Sequence, residues 1–254
     1  MASLEPGEHP QAGLNALPSA EEKREKVQSM FDRIAPRYDL LNRMMSAGMD
    51  QSWRRRALAL ADVGAGDVVL DLACGTGDLS ELARERGARV VGADFSRQML
   101  FGAHARAIGA DFVQGDAAQL PLAEGSVTVV TCGFALRNFV SLGPVFDELA
   151  RVLVPGGRIS LIDVDRPASG IVRAGHSLYF DRIIPFVGGL VSDRDAYRYL
   201  PQSTVYLPPA EEIFALLAKS GFEQIAKHRL MLGAAQILTG QLPGDDNSHV
   251  GAQR

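Results

Sequence analysis

The sequence predicts a doubly wound α/β fold built on a mostly parallel sheet, and three observations lead to that prediction. Val68 to Leu70 form an apolar run of the kind that is buried on both faces of a parallel sheet. A turn of small residues containing Gly75 and Gly77 follows, and a helical run begins near Asp78. Apolar strands and helical segments then alternate as far as Val164, which is typical of βαβ units.

Two segments are predicted to precede the sheet. Residues 1–19 mix Pro, Gly and polar residues without periodicity, so we expect a disordered tail there. Residues 20–63 are predicted to form a helical lid. Its first helix begins near Ala20, ends at Pro36 and has one apolar face, made of Val27, Met30, Phe31 and Ile34. The methionine-rich patch from Leu40 to Met49 is interpreted as packing on the core rather than as binding a flexible apolar ligand.

Residues 64–165 are predicted to form a ligand-binding core. Gly75 and Gly77 let the backbone approach a ligand closely, and Asp78 is predicted to cap a helix whose N-terminus offers unpaired N–H groups. The second strand ends at Asp94, where a carboxylate can accept both hydroxyl hydrogens of a ribose. The core therefore has the parts of a nucleoside site.

Polar residues also follow the third and fourth strands. Asp116 comes after a short third strand, where a carboxylate can hold an adenine amino group. Arg137 and Asn138 follow the fourth strand, Val127 to Cys132, and face the crevice in which open α/β sheets bind ligands. Arg137 either acts near an acceptor or pairs with a nearby carboxylate, and we favour the first. A fifth strand is predicted after a turn at Pro155-Gly156-Gly157.

The remainder of the chain is predicted to complete a single domain that spans residues 20–240. Residues 166–207 are predicted to be a helical insertion on the substrate side, and residues 208–240 a helix followed by two strands. His176 lies in the insertion, where a lone histidine is more often a packing or surface residue than a site residue. Residues 241–254 are polar and are expected to form a second disordered tail.

Composition excludes several classes of function. A net charge of −4 and a pI near 5.8 argue against nucleic acid as a partner. The two cysteines, Cys74 and Cys132, provide neither a disulfide framework nor a metal site. With no signal peptide or membrane-spanning run, we expect a cytoplasmic protein, and peripheral membrane contact stays open. Arg54 to Arg56 are interpreted as a solvated face rather than as a headgroup contact.

The order of these motifs resembles that of class I S-adenosylmethionine-dependent methyltransferases, which have a Rossmann-like sheet. Their glycine motif begins with an acidic residue at a strand end, matched here by Asp71 with Gly75 and Gly77. Ala73 stands where many members have glycine. The glycine spacing does not fit the G-x-G-x-x-G pattern of dinucleotide-binding enzymes.

Longer blocks make the resemblance more specific. The segments FDRIAPRYDLLNRMMSAGMDQSWRR, LDLACGTGDL, GFALRNF and DRDAYRYLPQST are similar to the ubiquinone/menaquinone biosynthesis C-methyltransferase family. The resemblance implies methylation of a ring carbon of a polyprenyl quinol precursor, with S-adenosylhomocysteine as the product. It implies that a set of residues binds the cofactor: Asp71, Gly75, Thr76, Gly77, Asp94, Phe95, Asp116, Ala117 and Gly133, of which Gly133 replaces a family serine. Tyr38, Arg137 and Asn138 match positions near the quinol, and a homodimer stays open.

The resemblance also suggests roles for the residues near the acceptor. Arg137 and Asn138 are predicted to orient the quinol hydroxyl and stabilise a developing phenolate, with Tyr38 or His176 relaying the proton. The text LIDVDRP after the fifth strand departs from the family pattern. Two alternatives therefore stay open: methylation of another isoprenoid or small aromatic acceptor, and a non-catalytic cofactor-binding assembly partner.

Overall fold

A computed structural model of the chain describes residues 20–46, 48–165 and 207–244. Seven strands form one sheet in the order β3-β2-β1-β4-β5-β7-β6. The strands are β1 Val68–Leu72, β2 Arg89–Asp94, β3 Asp111–Gln114, β4 Val127–Gly133, β5 Leu153–Val164, β6 Glu223–Leu230 and β7 Ala235–Gln241. β1 to β5 pair in parallel, whereas β7 runs antiparallel to both β5 and β6.

The described helices precede and connect the strands. They are α1 Ala20–Ile34, α2 Tyr38–Met45, α3 Asp50–Leu60, α4 Asp78–Glu85, α5 Arg97–Ala105, α6 Leu142–Val152 and α7 Ala210–Lys219. Short 3-10 turns lie at Ala35–Arg37, Leu136–Asn138 and Met231–Gly233. None of the helices in the described ranges is long and apolar enough to cross a bilayer.

The strands of the sheet are covered by apolar side chains on both faces. Leu70 and Val130 pack with Phe146 of α6 and Leu217 of α7 in one core. Val69 and Val129, their neighbours along the same strands, pack with other side chains in a second core, among them Ala57, Leu58, Leu79 and Leu82 of α3 and α4. Successive residues of a strand point to opposite faces, so the continuous apolar run of β1 serves both cores. The doubly wound fold is confirmed.

The structure moves several predicted boundaries. β1 continues through Asp71 to Leu72, and β5 begins at Leu153, so the Pro155-Gly156-Gly157 segment lies within the strand rather than before it. The N-cap of α4 is Gly77 in the left-handed conformation, not Asp78. Asp78 is the first helical residue, and its carboxylate instead binds side chains of neighbouring elements. β7 reaches Gln241, one residue into the predicted tail.

Some predictions fall outside the described residues. These are the predictions for residues 1–19, for most of the insertion including His176, and for the segment after Gly244. Within the lid, the side chains of Leu41, Met44 and Met45 also lie outside the described set. Leu40, which was expected to pack on the core, is 51% exposed.

Gly77 is a position where the backbone conformation requires glycine. Its φ is +91°, and a Cβ there would lie 3.0 Å from Cδ1 of Ile108. We expect Gly77→Ala to lower the free energy of unfolding by about 2 kcal/mol, because a left-handed non-glycine residue alone costs about 1–2 kcal/mol. Gly66→Ala is the matched control, since Gly66 has a φ of +98° with no neighbour within 4 Å. If urea denaturation shows the same loss of unfolding free energy for both variants, the Ile108 side chain moves away from the added methyl group without an energetic cost.

Candidate functional site

A cavity of about 330 Å³ opens at the carboxyl ends of the parallel strands. It lies where residues that follow β1, β2, β3 and β4 converge, the usual ligand position in an open α/β sheet. These residues include Ala73 after β1, Phe95 after β2, Asp116 after β3 and Phe134 after β4. Val27, Gln28 and Phe31 of α1 form a further wall.

The lid helix α1 is tied to the loop that follows β2. The amide of Gln28 donates to the carbonyl oxygen of Phe95 at 3.4 Å. The Ser96 hydroxyl donates to Asp32 Oδ1 at 2.5 Å. These contacts hold α1 against the loop that follows β2, so the lid and the strand ends enclose the cavity together.

Asp94 lines the cavity and organises the glycine turn. Its Oδ2 accepts a hydrogen bond from the Gly75 backbone N–H at 2.8 Å, and its Oδ1 accepts one from the Ser96 N–H at 2.8 Å. Burial raises the pKa of this carboxyl to about 6, although the two backbone donors oppose the shift. Each carboxylate oxygen can accept a further hydrogen bond, which leaves both able to receive hydroxyl groups of a ligand.

Asp116 and Ala117 line the cavity beside Gly115, after β3. Asp116 Oδ1 accepts a hydrogen bond from the Ala118 N–H at 3.0 Å, which fixes the carboxylate in a turn. Phe95 and Met99 supply apolar surface to the same cavity. A cavity that combines two carboxylates with apolar surface is suited to the hydroxyl groups of a ribose and to a flat base.

A second, smaller cleft adjoins the cavity on the side of β1 and β4. It shares Tyr38, Ala73 and Gly133 with the cavity and is also lined by Arg54, Asp71, Cys74, Thr76, Asp78 and Leu79. Asp71 accepts a hydrogen bond from the Ser80 hydroxyl at 2.7 Å, and burial raises the pKa of Asp71 to about 7. The Thr76 hydroxyl donates to Asp39 of α2.

The predicted cofactor residues therefore occupy two neighbouring spaces. The cavity is lined by Gly75, Asp94, Phe95, Asp116, Ala117 and Gly133. Asp71 and Thr76 line only the small cleft. Gly77 lines neither space, because it forms the cap of α4. Of the predicted acceptor residues, Tyr38 and Asn138 line the cavity and Arg137 does not.

Arg137 is held in a buried ion pair. Its Nη1 donates to Asp163 Oδ1 at 2.5 Å and to the Phe134 carbonyl oxygen at 2.6 Å, while its backbone N–H donates to Asp163 Oδ2 at 3.2 Å. Asp163 is fully buried and Arg137 is 7% exposed. The carboxylate pairing that the sequence left as the less favoured interpretation is present. The ion pair therefore connects the 3-10 turn Leu136–Asn138 to the end of β5.

Tyr38, at the start of α2, lines both the cavity and the small cleft. Burial raises the pKa of its phenol, and the Asn42 side chain and the charges of Arg54 and Arg137 oppose that shift without cancelling it. The phenol is therefore protonated at neutral pH. Tyr38 can donate a hydrogen bond to an anionic oxygen but cannot act as a resting base.

The sequence interpretation missed Arg54. It was assigned to a solvated face, but it is 4% exposed, whereas Arg55 and Arg56 are exposed as predicted. Helical spacing indicates this burial. Arg54 lies three, four and seven residues before Ala57, Leu58 and Ala61, which are all buried, so the four residues share one face of the helix.

Comparison with known proteins shows the family to which the chain belongs. A model of the ubiE/COQ5 methyltransferase family matches residues 19–241. A demethylmenaquinone methyltransferase from Thermus thermophilus is 44% identical over 221 residues, covering 84% of this chain and 100% of the relative. A ubiquinone/menaquinone biosynthesis C-methyltransferase from Geobacter sulfurreducens is 38% identical over 235 residues, covering 87% of this chain and 90% of the relative.

Solved structures agree on the fold. A methyltransferase from Haloferax volcanii, determined with its Trm112 activator, superposes with a TM-score of 0.62 at 19% identity, covering 84% of this chain and 97% of the other. An S-adenosylmethionine-dependent methyltransferase from Thermotoga maritima superposes with a TM-score of 0.59 at 17% identity, covering 85% and 99%. The chain belongs to the ubiE/COQ5 methyltransferase family and is an S-adenosylmethionine-dependent methyltransferase.

Proposed function

We propose that the protein methylates a ring carbon of a polyprenyl quinol, as in the conversion of demethylmenaquinol to menaquinol, and releases S-adenosylhomocysteine. The observation that carries the proposal is one cavity that is lined by two carboxylates, Asp94 and Asp116, and by apolar side chains. Relatives that are named demethylmenaquinone methyltransferase support the same acceptor class. A prenylated aromatic ring is the kind of ligand that an apolar pocket with few polar groups binds.

The cavity and its neighbouring cleft fit S-adenosylmethionine. Asp94 would hold the ribose hydroxyls and Asp116 the adenine amino group. Gly75 has a φ of +56°, and a Cβ there would lie 3.4 Å from Cε1 of Tyr38, so its missing side chain keeps the turn close to the cavity. When bound, this group supplies an electrophilic methyl on a sulfonium, for which alignment is the main requirement.

The cavity also has apolar walls, which suit a ring with an isoprenoid chain. These walls come from α1 and from the segment between β4 and α6, and include Val27, Phe31, Phe139, Val140, Pro144 and Val145. Val140 is 46% exposed, so the apolar wall continues to the surface. A long prenyl chain can leave the cavity by this route while the ring stays inside.

Tyr38 and Asn138 are the polar groups that we assign to the acceptor. A quinol ring carbon becomes nucleophilic when the neighbouring hydroxyl loses its proton, so the site must stabilise a developing phenolate. The protonated Tyr38 phenol and the Asn138 amide can both donate to that oxygen. Arg137 acts as a positioning residue, because its charge is paired with Asp163 and its contacts hold the turn that carries Asn138.

The test of this proposal is transfer of labelled methyl from S-adenosylmethionine to defined lipids. We expect incorporation into reduced demethylmenaquinone and none into menaquinol, whose ring position is already methylated. Incorporation only into small aromatic acceptors would assign the enzyme to another pathway. Binding of the cofactor without transfer to any lipid from quinone-deficient cells would favour the assembly-partner alternative.

The proposal extends to the setting in which the enzyme works. A prenylated acceptor resides in the bilayer, so a cytoplasmic enzyme must contact the membrane surface to reach it. Vesicle co-sedimentation with and without the quinone measures that contact. Light scattering measures whether the protein is a homodimer, as the family resemblance allows.

Cofactor affinity should depend on pH through Asp94. Ribose hydroxyls bind best to the ionised carboxylate, and burial raises the pKa of Asp94 to about 6 in the free protein. The affinity for S-adenosylhomocysteine should therefore fall as the pH drops through 6, and be about tenfold weaker at pH 5 than at pH 7.5. Calorimetric titration measures it.

Two variants assign the pH effect to a residue. In Asp94→Asn the decrease toward pH 5 should disappear, because no proton is then lost on binding. In Asp71→Asn it should persist, since Asp71 lines the small cleft rather than the ribose end. If the decrease in affinity toward pH 5 disappears in Asp71→Asn but not in Asp94→Asn, the titrating group is Asp71.

A further inference from the structure

Arg54 is a buried cation, and two of its nitrogens have no hydrogen-bond partner among the described residues. Its Nε and Nη1 are buried and have no hydrogen-bond partner there. The guanidinium carbon lies 5.2 Å from the centroid of the Phe134 ring, a contact that supplies no acceptor lone pair. A buried guanidinium with unmet N–H groups is costly, and such groups normally have a partner in the working protein.

The carboxylate nearest to Arg54 is already used by other donors. Asp78 Oδ2 lies 3.6 Å from Arg54 Nε, beyond hydrogen-bond distance. Asp78 Oδ1 instead accepts from Arg106 Nη1 at 2.8 Å, and Oδ2 accepts from the Gln51 amide at 3.1 Å. Asp78 therefore attracts Arg54 without satisfying it, and the guanidinium is available to another anion.

The unmet donors are directed toward the cofactor site. Arg54 lines the small cleft, which joins the cavity at Tyr38, Ala73 and Gly133. A Cβ built on Gly133 would lie 3.5 Å from Arg54 Nη1 and 3.0 Å from Leu79 Cδ1. Because Gly133 has no side chain, Nη1 can be reached from the cavity.

We propose that Arg54 binds the α-carboxylate of the methionine tail of S-adenosylmethionine and S-adenosylhomocysteine. With the nucleoside between Asp94 and Asp116, the tail must extend past the glycine turn, where the cleft begins. The cleft holds a cation in Arg54, which matches the negative charge of the α-carboxylate. The inference rests on the use of this cofactor and is independent of the acceptor.

The test compares two ligands that differ in the tail, by calorimetric titration of the full chain. S-adenosylhomocysteine carries the amino acid, and 5′-methylthioadenosine does not. We expect Arg54→Met to weaken S-adenosylhomocysteine binding by about 10- to 100-fold, the effect of losing charge-assisted hydrogen bonds, and methylthioadenosine binding by less than about twofold. Arg54→Lys should lose less, because it keeps the charge.

Arg56→Met is the matched control, since it removes the same charge from an exposed position of the same helix, and it should bind both ligands like the wild type. Equal losses for the two ligands in Arg54→Met, or no loss for either, would overturn the proposal.

If Arg54→Met and Arg54→Lys do not fold, the proposal is tested on the wild-type protein with a modified ligand. The carboxamide of S-adenosylhomocysteine should bind to the wild type at least about tenfold more weakly than S-adenosylhomocysteine itself. Equal affinity for the two would overturn the inference alone. A wild type that binds no S-adenosylhomocysteine would instead contradict the use of the cofactor.

Discussion

Arg137→Ala is expected to lower the free energy of unfolding by about 3–5 kcal/mol, because it leaves a fully buried carboxylate without its counter-charge. Within the described part of the chain, Asp163 would keep the backbone donors of Arg137 and Val164 alone, the latter at 2.7 Å. Methyl transfer should collapse even at temperatures where the variant stays folded, since the turn that carries Asn138 loses its anchor. Urea denaturation and single-turnover transfer measure the two effects.

The double variant Arg137→Met with Asp163→Asn is the control for the buried charge. Replacing both partners removes the uncompensated carboxylate, so much of the lost stability should return. If Arg137 only positions the turn, this double variant should bind S-adenosylhomocysteine nearly as the wild type does. A double variant as unstable as Arg137→Ala would show that the ion pair is not the source of the effect.

Asp94→Asn is expected to weaken S-adenosylhomocysteine binding by about 10²- to 10³-fold. The charged carboxylate that we propose as the acceptor of two ribose hydroxyls is lost, and each such hydrogen bond would contribute about 1.5–3 kcal/mol. The amide also cannot accept from both the Gly75 and Ser96 N–H groups, so the glycine turn loosens. Calorimetry with S-adenosylhomocysteine measures the affinity directly.

Asp111→Asn is a suitable comparison for Asp94→Asn, because Asp111 is exposed at the first residue of β3 and away from the cavity. Its affinity should equal that of the wild type. An Asp94→Asn protein that binds within a few-fold of the wild type would remove Asp94 from the ribose site, whatever its effect on methyl transfer.

The parallel sheet could be predicted because its signals are local. The apolar runs at β1, β2 and β4 and the glycine turn after β1 each lie within a few residues, and the carboxyl ends of parallel strands meet at one edge. Asp94 and Asp116 therefore came together in the structure as expected. The acidic strand end at Asp71 did not join them, because its side chain turns toward Ser80 of α4.

The ion pair of Arg137 could not be found by local patterns. Its partner, Asp163, lies on another strand, and only the parallel pairing of β4 with β5 brings the two together. The sequence likewise does not predict Gly77 as the N-cap of α4, because aspartate is more common than glycine at that position and Asp78 follows directly. By contrast, helical periodicity predicts the burial of Arg54. It does not predict that Nε and Nη1 of Arg54 have no hydrogen-bond partner among the described residues.

The antiparallel strand β7 has a consequence for synthesis of the protein. It lies between β5 and β6, so the long parallel strand β5 has a bare edge until the segment from Ala235 to Gln241 is made. On the ribosome, this segment leaves the exit tunnel after β1 to β6, and the nascent sheet stays open until then. A stop codon shortly before residue 235 should therefore yield an insoluble product rather than a slightly shorter enzyme.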